Sequence, residues 1–330
     1  MTETSVPQGA IARLAAAAGS GSLPLALDLS PSWAANHPDT VTRAEVAMAL
    51  NALLFADLVD RVPTAGRYVG GVVGQGRKVH FDHGALRTID GPTGALPRGY
   101  QAFARLLEPL GYAIAGTYPL PRLRMTGRAF AQADFPAEIP QFFVSELHVD
   151  QLPDEAQAAA ERVFGGSSDP IGAAEQALLD ALARDGKCSF DLAAAGLPGL
   201  VRAFDRHHPE PALADYEALL PHSAEAAWIA TEGNAFNHAT DRVPDIEAVV
   251  AQLRTEGYPL KPEIETSANG RVRQTAFLAD KVLRRFADGV AREVPGSFYE
   301  FIERAADPET GGLDLTFDSG NATGIFAVTR

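Results

Sequence analysis

Hydrophobic positions in this chain begin with helical spacing. Over residues 42–60, Val46, Leu50, Leu53, Leu54 and Leu58 fall on one stripe after a capping region at Asp39 and Thr40, and residues 11–18 carry a shorter helical run. Together they predict a helical cover over residues 1–76. From Lys78 the pattern becomes that of a strand, KVHFDHGALRTI. After GPTGALPRG an amphipathic helix over residues 100–110 ends in Gly111 and Tyr112, and three strand-like runs follow, AIAGTYPL, LRMTGRAFAQ and QFFVSELHV. Residues 77–152 thus read β-α-β-β-β.

Residues 153–224 are rich in Ala and Leu, with breaks at Gly165 to Pro170 and Gly196 to Pro198, and predict several inserted helices. His207, His208 and His222 lie there in loop-like surroundings and are expected on the solvated surface. Over residues 225–330 the first order returns. WIATEGNAFNHATDRV reads as a strand with a turn in it, and residues 246–255 as a helix ending in Gly257 and Tyr258. LKPEIETS, GRVRQTAFLADKVLRRFA (long enough for two strands) and SFYEFIERA then give three strand candidates. In both halves the helix ends in Gly-Tyr, where glycine suits a left-handed C-cap. The expected fold is α+β: two β-α-β-β-β modules curled into a half-open barrel, with N-terminal and inserted helices, in one integrated domain.

Composition narrows what such a barrel can do. The 330 residues are 46% hydrophobic and 21% charged, with a net charge of −14, and the cations are scattered. Nucleic acid is therefore not an expected partner, although one well-placed arginine can still hold a small anion. No apolar run is long enough to span a membrane, and the cytoplasm is the expected location. Cys188 is the single cysteine, so any metal must be held by His, Asp or Glu.

Strand alternation then selects the candidates. His83, Ala85 and Arg87 share one face, whereas His80, Asp82 and Gly84 share the other, so His80 is expected to be structural or to back the ligands. Glu300 stands between Phe298 and Ile302, an unpaired carboxylate on an apolar face that a metal would neutralise. His238 lies between Phe236 and Thr240, and Gln274 is a lone amide among Val272, Ala276 and Leu278. Each has a plainer reading: a hydrogen-bonded core histidine, Glu300 paired with Arg304, Gln274 satisfying buried backbone, Glu146 an ordinary structural carboxylate. Taken together, two histidines and a glutamate match the facial set that leaves open positions on Fe(II), and zinc or manganese could use the same ligands.

HGALR, NAFNHATDRV, RQTAFLADKV, FYEFIER and the tail DSGNATGIF, in that order, resemble the 2-oxoadipate dioxygenase/decarboxylase family, also called hydroxyglutarate synthases. The likeness runs from about Leu50 onward. That family is similar to the vicinal oxygen chelate superfamily. The resemblance implies Fe(II) bound by His83, His238 and Glu300, with Arg87 holding a carboxylate of a 2-oxo diacid. It also implies substrate contacts from the tail at Gly320 and Asn321, and O2 as co-substrate. 2-Oxoadipate would give 2-hydroxyglutarate and CO2, a step in lysine breakdown. Gln274 could orient bound oxygen or a ligand. Longer family members have extra sequence between the glutamate strand and the segment matching Gly324 to Phe326, so the resemblance does not fix the wall closing the substrate site or the preferred substrate length. Two other classes stay open: another metalloenzyme on this fold (an extradiol-type dioxygenase, or a glyoxalase-like isomerase with Glu146 as a fourth ligand), and a non-catalytic small-molecule binder. The oligomeric state is not readable from the sequence.

Overall fold

The computed structural model describes residues 9–19 and 26–318. In chain order the elements are α1 (Ala10–Ala17), β1 (Thr40–Thr42), α2 (Arg43–Arg61), α3 (Pro63–Gly74), β2 (Phe81–Asp90), α4 (Gln101–Leu107), β3 (Tyr112–Leu120), β4 (Met125–Gln132) and β5 (Gln141–His148). The insert supplies α5 (Asp154–Phe164), α6 (Ala173–Asp185), β6 (Lys187–Ser189), α7 (Phe190–Arg202), α8 (Leu213–Leu219) and α9 (Ala224–Glu232). The second half has β7 (His238–Arg242), α10 (Ile246–Thr255), β8 (Glu265–Thr266), β9 (Val272–Ala276), β10 (Lys281–Arg285), β11 (Ala291–Pro295) and β12 (Phe298–Arg304). Among the described residues no helix is long and apolar enough to cross a membrane.

Eight strands form one curled sheet in the order β3-β4-β5-β2-β7-β12-β9-β8. Each half of it repeats a pattern. β5 runs parallel to β2 as β12 does to β7, and the halves join where β2 and β7 pair antiparallel. Sheet residues of one parity, among them Leu86, Phe142, Ala239, Tyr299 and Phe301, pack in a core with α2 and α3 on the convex side. Ile89, Met125 and Leu147, of the other parity, meet α5, α8 and α9, so the inserted helices close one end of the concave face. The centre of that face is left for polar side chains.

Several elements depart from the pattern reading. WIATE belongs to α9, a helix buried on all sides whose Ser223 cap accepts from the Ala226 N–H. An apolar run packed from every direction shows neither the helical nor the strand period. Gly233 ends it at φ +68°, where an added Cβ would lie 2.3 Å from Arg206 Cα. α2 is capped two residues later than expected, by Thr42 in a capping box with Glu45. LKPEIETS supplies only β8 and one bridge from Leu260 to Phe277, since Pro262 has no N–H for a ladder. The long run after Gly270 splits into β9 in the sheet and β10 outside it, the latter paired with β11, which the pattern did not propose. His208 is buried rather than solvated, its two ring nitrogens lying 2.9 and 3.2 Å from the carbonyls of Pro209 and Ile229.

On the convex side Asp241 of β7 accepts from the Tyr68 hydroxyl at 2.7 Å and from the His80 N–H at 3.0 Å. Burial pushes its carboxyl up to about 6. The folded state therefore favours the neutral acid. Relative to an unfolded chain in which aspartate titrates near 3.9, stability falls as pH rises from about 4 to about 6 and is then constant. Asp241→Asn removes this step. Urea unfolding at pH 4.5 and 7.5 should show the variant gaining about 2 kcal/mol on the parent protein between the two, and an unchanged difference would refute the assignment.

Candidate metal centre

β2, β7 and β12 are neighbours in the sheet, and His83, His238 and Glu300, one from each, point into the concave face. His83 Nε2 and His238 Nε2 lie 3.4 and 3.3 Å from the same oxygen, Oε2 of Glu300. The two imidazoles stand nearly perpendicular, with centroids 5.6 Å apart. All three groups are buried, Glu300 at 1% exposure. Ligands at right angles on a metal with bonds of about 2.1 Å are separated by about 3 Å, so two histidines and a carboxylate at these distances suit a divalent ion. Gly84 makes room on the other side of β2, since a Cβ there would lie 2.2 Å from the Phe236 ring.

A second layer of groups orients these three. The β2/β7 register slips between Phe81 and His83, leaving Asp82 as the extra residue of a bulge. Simple alternation puts Asp82 behind the sheet; the bulge instead brings its carboxylate beside the ligand, 2.9 Å from His83 Nδ1. Arg304 grips the same carboxylate through Nε (3.0 Å) and Nη2 (2.8 Å). Arg304 is thus the partner of Asp82, not of Glu300. Thr240, in register with both His83 and Glu300, donates its hydroxyl to Glu300 Oε2 at 2.6 Å and lies 3.1 Å from His83 Nε2. The Asn237 amide meets His238 Nδ1 at 2.9 Å, and the Phe298 ring lies against the same imidazole at 4.8 Å.

The electrostatics follow from this packing. Burial would raise the Glu300 carboxyl, but His238 and His83 outweigh it and hold the group well below the usual carboxylate range. Burial acts the same way on Asp82, and Arg304 and His83 override it, so this acid too stays ionised. The histidines diverge. Burial depresses both, yet hydrogen bonds to Asp82 and Glu300 lift His83 above its ordinary value, while His238, with no such aspartate, ends below it.

Arg87 shares the concave face with His83 and is fully buried, its guanidinium 4.8 Å over the Trp228 ring of α9. Gln274 is buried on the same face beside Ile302, and opposite it on β8 stands Glu265, which accepts from Lys261 Nζ at 2.8 Å. The sequence pattern does not mark Lys261 or Glu265, because the edge strand that carries Glu265 is only two residues long and Lys261 lies outside it. Gly320 and Asn321 lie outside the described residues. His80 is exposed and backs neither ligand.

Glu146 is not part of the cluster. His83 pairs with Gln141 as His238 pairs with Phe298, so the position matching Glu300 in the first half is Phe143. Glu146 is three residues further on, an odd step that sends it to the convex face. There it accepts from Arg128 at 2.7 Å and from the Tyr100 N–H at 3.0 Å. Its nearness to Asp90 and His148 makes a second acidic group on that side.

The model of a protein family described as 2-oxoadipate dioxygenase/decarboxylase matches residues 47–315. A protein of Arabidopsis thaliana named 2-oxoadipate dioxygenase/decarboxylase, chloroplastic, is 25% identical over 278 residues, covering 76% of this chain and 68% of that one. The crystal structure of a glyoxalase superfamily protein from Ralstonia eutropha JMP134 is 50% identical with a TM-score of 0.88, covering 94% of this chain and 99% of that one. The hydroxyglutarate synthase of Oryza sativa, solved in complex with 2-oxoadipate, has the same fold at 22% identity, with a TM-score of 0.69 over 94% of this chain and 97% of that one.

Because Glu146 faces away from the triad, Glu146→Gln should leave divalent-metal affinity within about twofold while costing about 1–2 kcal/mol of stability through the weakened pair with Arg128. Metal titration beside urea unfolding checks both halves. A tenfold loss of affinity would place Glu146 at the metal after all.

Proposed function

The chain belongs to the 2-oxoadipate dioxygenase/decarboxylase family, and on that premise we propose that it converts a 2-oxo diacid and O2 to the 2-hydroxy acid one carbon shorter and CO2. The proposed substrate is 2-oxoadipate and the product 2-hydroxyglutarate. This balances without an external reductant: the 1-carboxylate leaves as CO2 with its own two oxygens, one atom of O2 completes the new carboxylate at the former keto carbon, and the other becomes the hydroxyl. The proposed metal is Fe(II), held by His83, His238 and Glu300.

The observation that carries the reading is the buried set of two histidines and one glutamate on three adjacent strands. Bound Fe(II) would supply the redox chemistry and open positions for a 2-oxo acid and O2. The chain's own residues do the rest. Thr240 steadies the Glu300 carboxylate, Asp82 keeps the Nδ1 proton of His83 so that Nε2 is free to ligate, and Asn237 orients His238. Arg87 binds a carboxylate of the diacid, with Trp228 fixing the plane of the guanidinium. Gln274 lines the same face and positions the bound acid. Buried aromatic walls keep water from a reactive centre. The isomerase alternative called for a fourth ligand at Glu146, and the convex position of that side chain removes its support.

Anaerobic reconstitution with Fe(II), addition of 2-oxoadipate and admission of O2 should give oxygen uptake matched by 2-hydroxyglutarate in the mass spectrum. His238→Ala should lower the rate at least a hundredfold. If no 2-oxo acid stimulates uptake, the proposal fails. Arg87→Met should reduce kcat/KM by about ten- to a hundredfold, the usual range for one lost charged hydrogen bond to substrate, and an unchanged value would remove Arg87 from substrate binding.

A further inference from the structure

After β12 the chain runs exposed through residues 308–312 and then returns to the concave face at Asp314. Several contacts hold this return, among them Arg271 Nε at 2.8 Å from Asp314 Oδ2 and the Phe317 ring at 4.9 Å from that of Phe143. Asp314 N–H donates to the Ala305 carbonyl, Gln141 donates to the Leu315 carbonyl at 3.2 Å, and Phe317 N–H donates to the Tyr118 hydroxyl at 3.1 Å. The tie that reaches back to the candidate ligands is Arg304. Its side chain is wholly buried, and while Nε and Nη2 grip Asp82, Nη1 donates to the carbonyls of Asp314 (2.9 Å) and Thr316 (2.8 Å). The guanidinium is a rigid planar fork, so it cannot follow the strap outward and keep both N–H bonds on Asp82. A second contact reaches the same ligand directly, since the Phe317 ring stands edge-on to the His83 imidazole at 4.8 Å.

We propose that residues 314–317 form a strap whose closure is thermodynamically linked to metal occupancy, with Asp82 and Arg304 as the positioning residues that couple the two. This rests on the reading of His83, His238 and Glu300 as the metal ligands. A ligating His83 needs its ring plane and its Nδ1 proton fixed, which Asp82 does, and Asp82 is held in place by the guanidinium that also holds the strap. A metal that favours the oriented imidazole therefore favours the closed strap. By reciprocity the closed strap tightens the metal by the same factor. Residues 314–317 lie outside the helices and strands and follow an exposed turn; such segments open locally, well short of global unfolding, so the linkage is readable in amide exchange.

The test uses the full chain, Fe(II) under anaerobic conditions and no substrate. In the parent protein, saturating Fe(II) should slow hydrogen exchange of the peptide covering residues 313–317 by at least about fivefold. Arg304→Met should weaken Fe(II) binding by about ten- to a hundredfold in equilibrium dialysis and leave strap exchange fast with or without metal. Arg304→Lys, which keeps the charge but loses the fork, should resemble Met; a return to parental affinity would mean that Arg304 only neutralises Asp82 and would overturn the coupling. Unchanged strap exchange on Fe(II) binding, or parental affinity in Arg304→Met, would also overturn it. Should the Met variant fail to fold by circular dichroism, the exchange of the parent protein decides alone. Failure of the parent protein to bind Fe(II) at all would sink the metal reading itself, a result separate from the others.

Discussion

An ionised carboxylate with almost no access to water is the constraint around which this structure is arranged. Glu300 sits between Phe298 and Ile302 at the bottom of a curled sheet, where an uncompensated charge would cost several kcal/mol. Its compensation comes from across the strands: a hydroxyl from Thr240 and two imidazoles, all converging on Oε2. Convergence on one oxygen requires that β2, β7 and β12 be adjacent and in a definite register, so the fold is as much a condition of the charge as the charge is of the site. A slip of one residue would turn Glu300 toward the convex core and replace it with an aromatic ring.

Compensation does not stop at the three ligands. Lifting His83 toward its charged form needs Asp82, and a second buried anion needs its own cation, which Arg304 provides from the same strand as Glu300. Hydrogen-bond partners therefore run outward from Glu300 to His83 to Asp82 to Arg304, each neighbour stabilising the last in a medium where such interactions are stronger than in water. Networks of this kind are costly when half satisfied. This one ends on backbone carbonyls of the segment after β12, where the guanidinium finds acceptors that carry no net charge.

Much of this could be read from residue order, and the reasons for the misses are physical. The duplicated β-α-β-β-β order and the candidate set His83, His238 and Glu300 are legible because each is a polar residue on an otherwise apolar strand face, a signal that survives without knowledge of pairing. Asp82 was assigned to the wrong face because a bulge breaks the period of two, and bulges leave no reliable mark in composition. Glu146 looked like the counterpart of Glu300 because both sit in aromatic strands, but likeness of composition is blind to register. α9 was missed because a helix packed on every side loses its stripe. Nothing in the pattern marks Lys261 and Glu265, because β8 is too short to show any period and Lys261 lies outside it.

Register also explains why, among the described residues, the duplicated fold gathers two histidines and a glutamate on its concave face only once. The first half offers Phe143 where the second offers Glu300, and Ala85 stands beside His83 in the strand that pairs with His238. The place of a second carboxylate is taken by an aromatic wall of Phe143, Tyr118 and Phe317, with ring centroids 4.9 to 6.0 Å apart. The wall from the second half is polar instead, with Gln274, Glu265 and Lys261. Two equivalent carboxylates in so dry a cavity would repel each other and force one to take up a proton. Giving the charge to one half and apolar surface to the other avoids that repulsion, and it leaves a concave face whose two walls differ in polarity on either side of the candidate ligands.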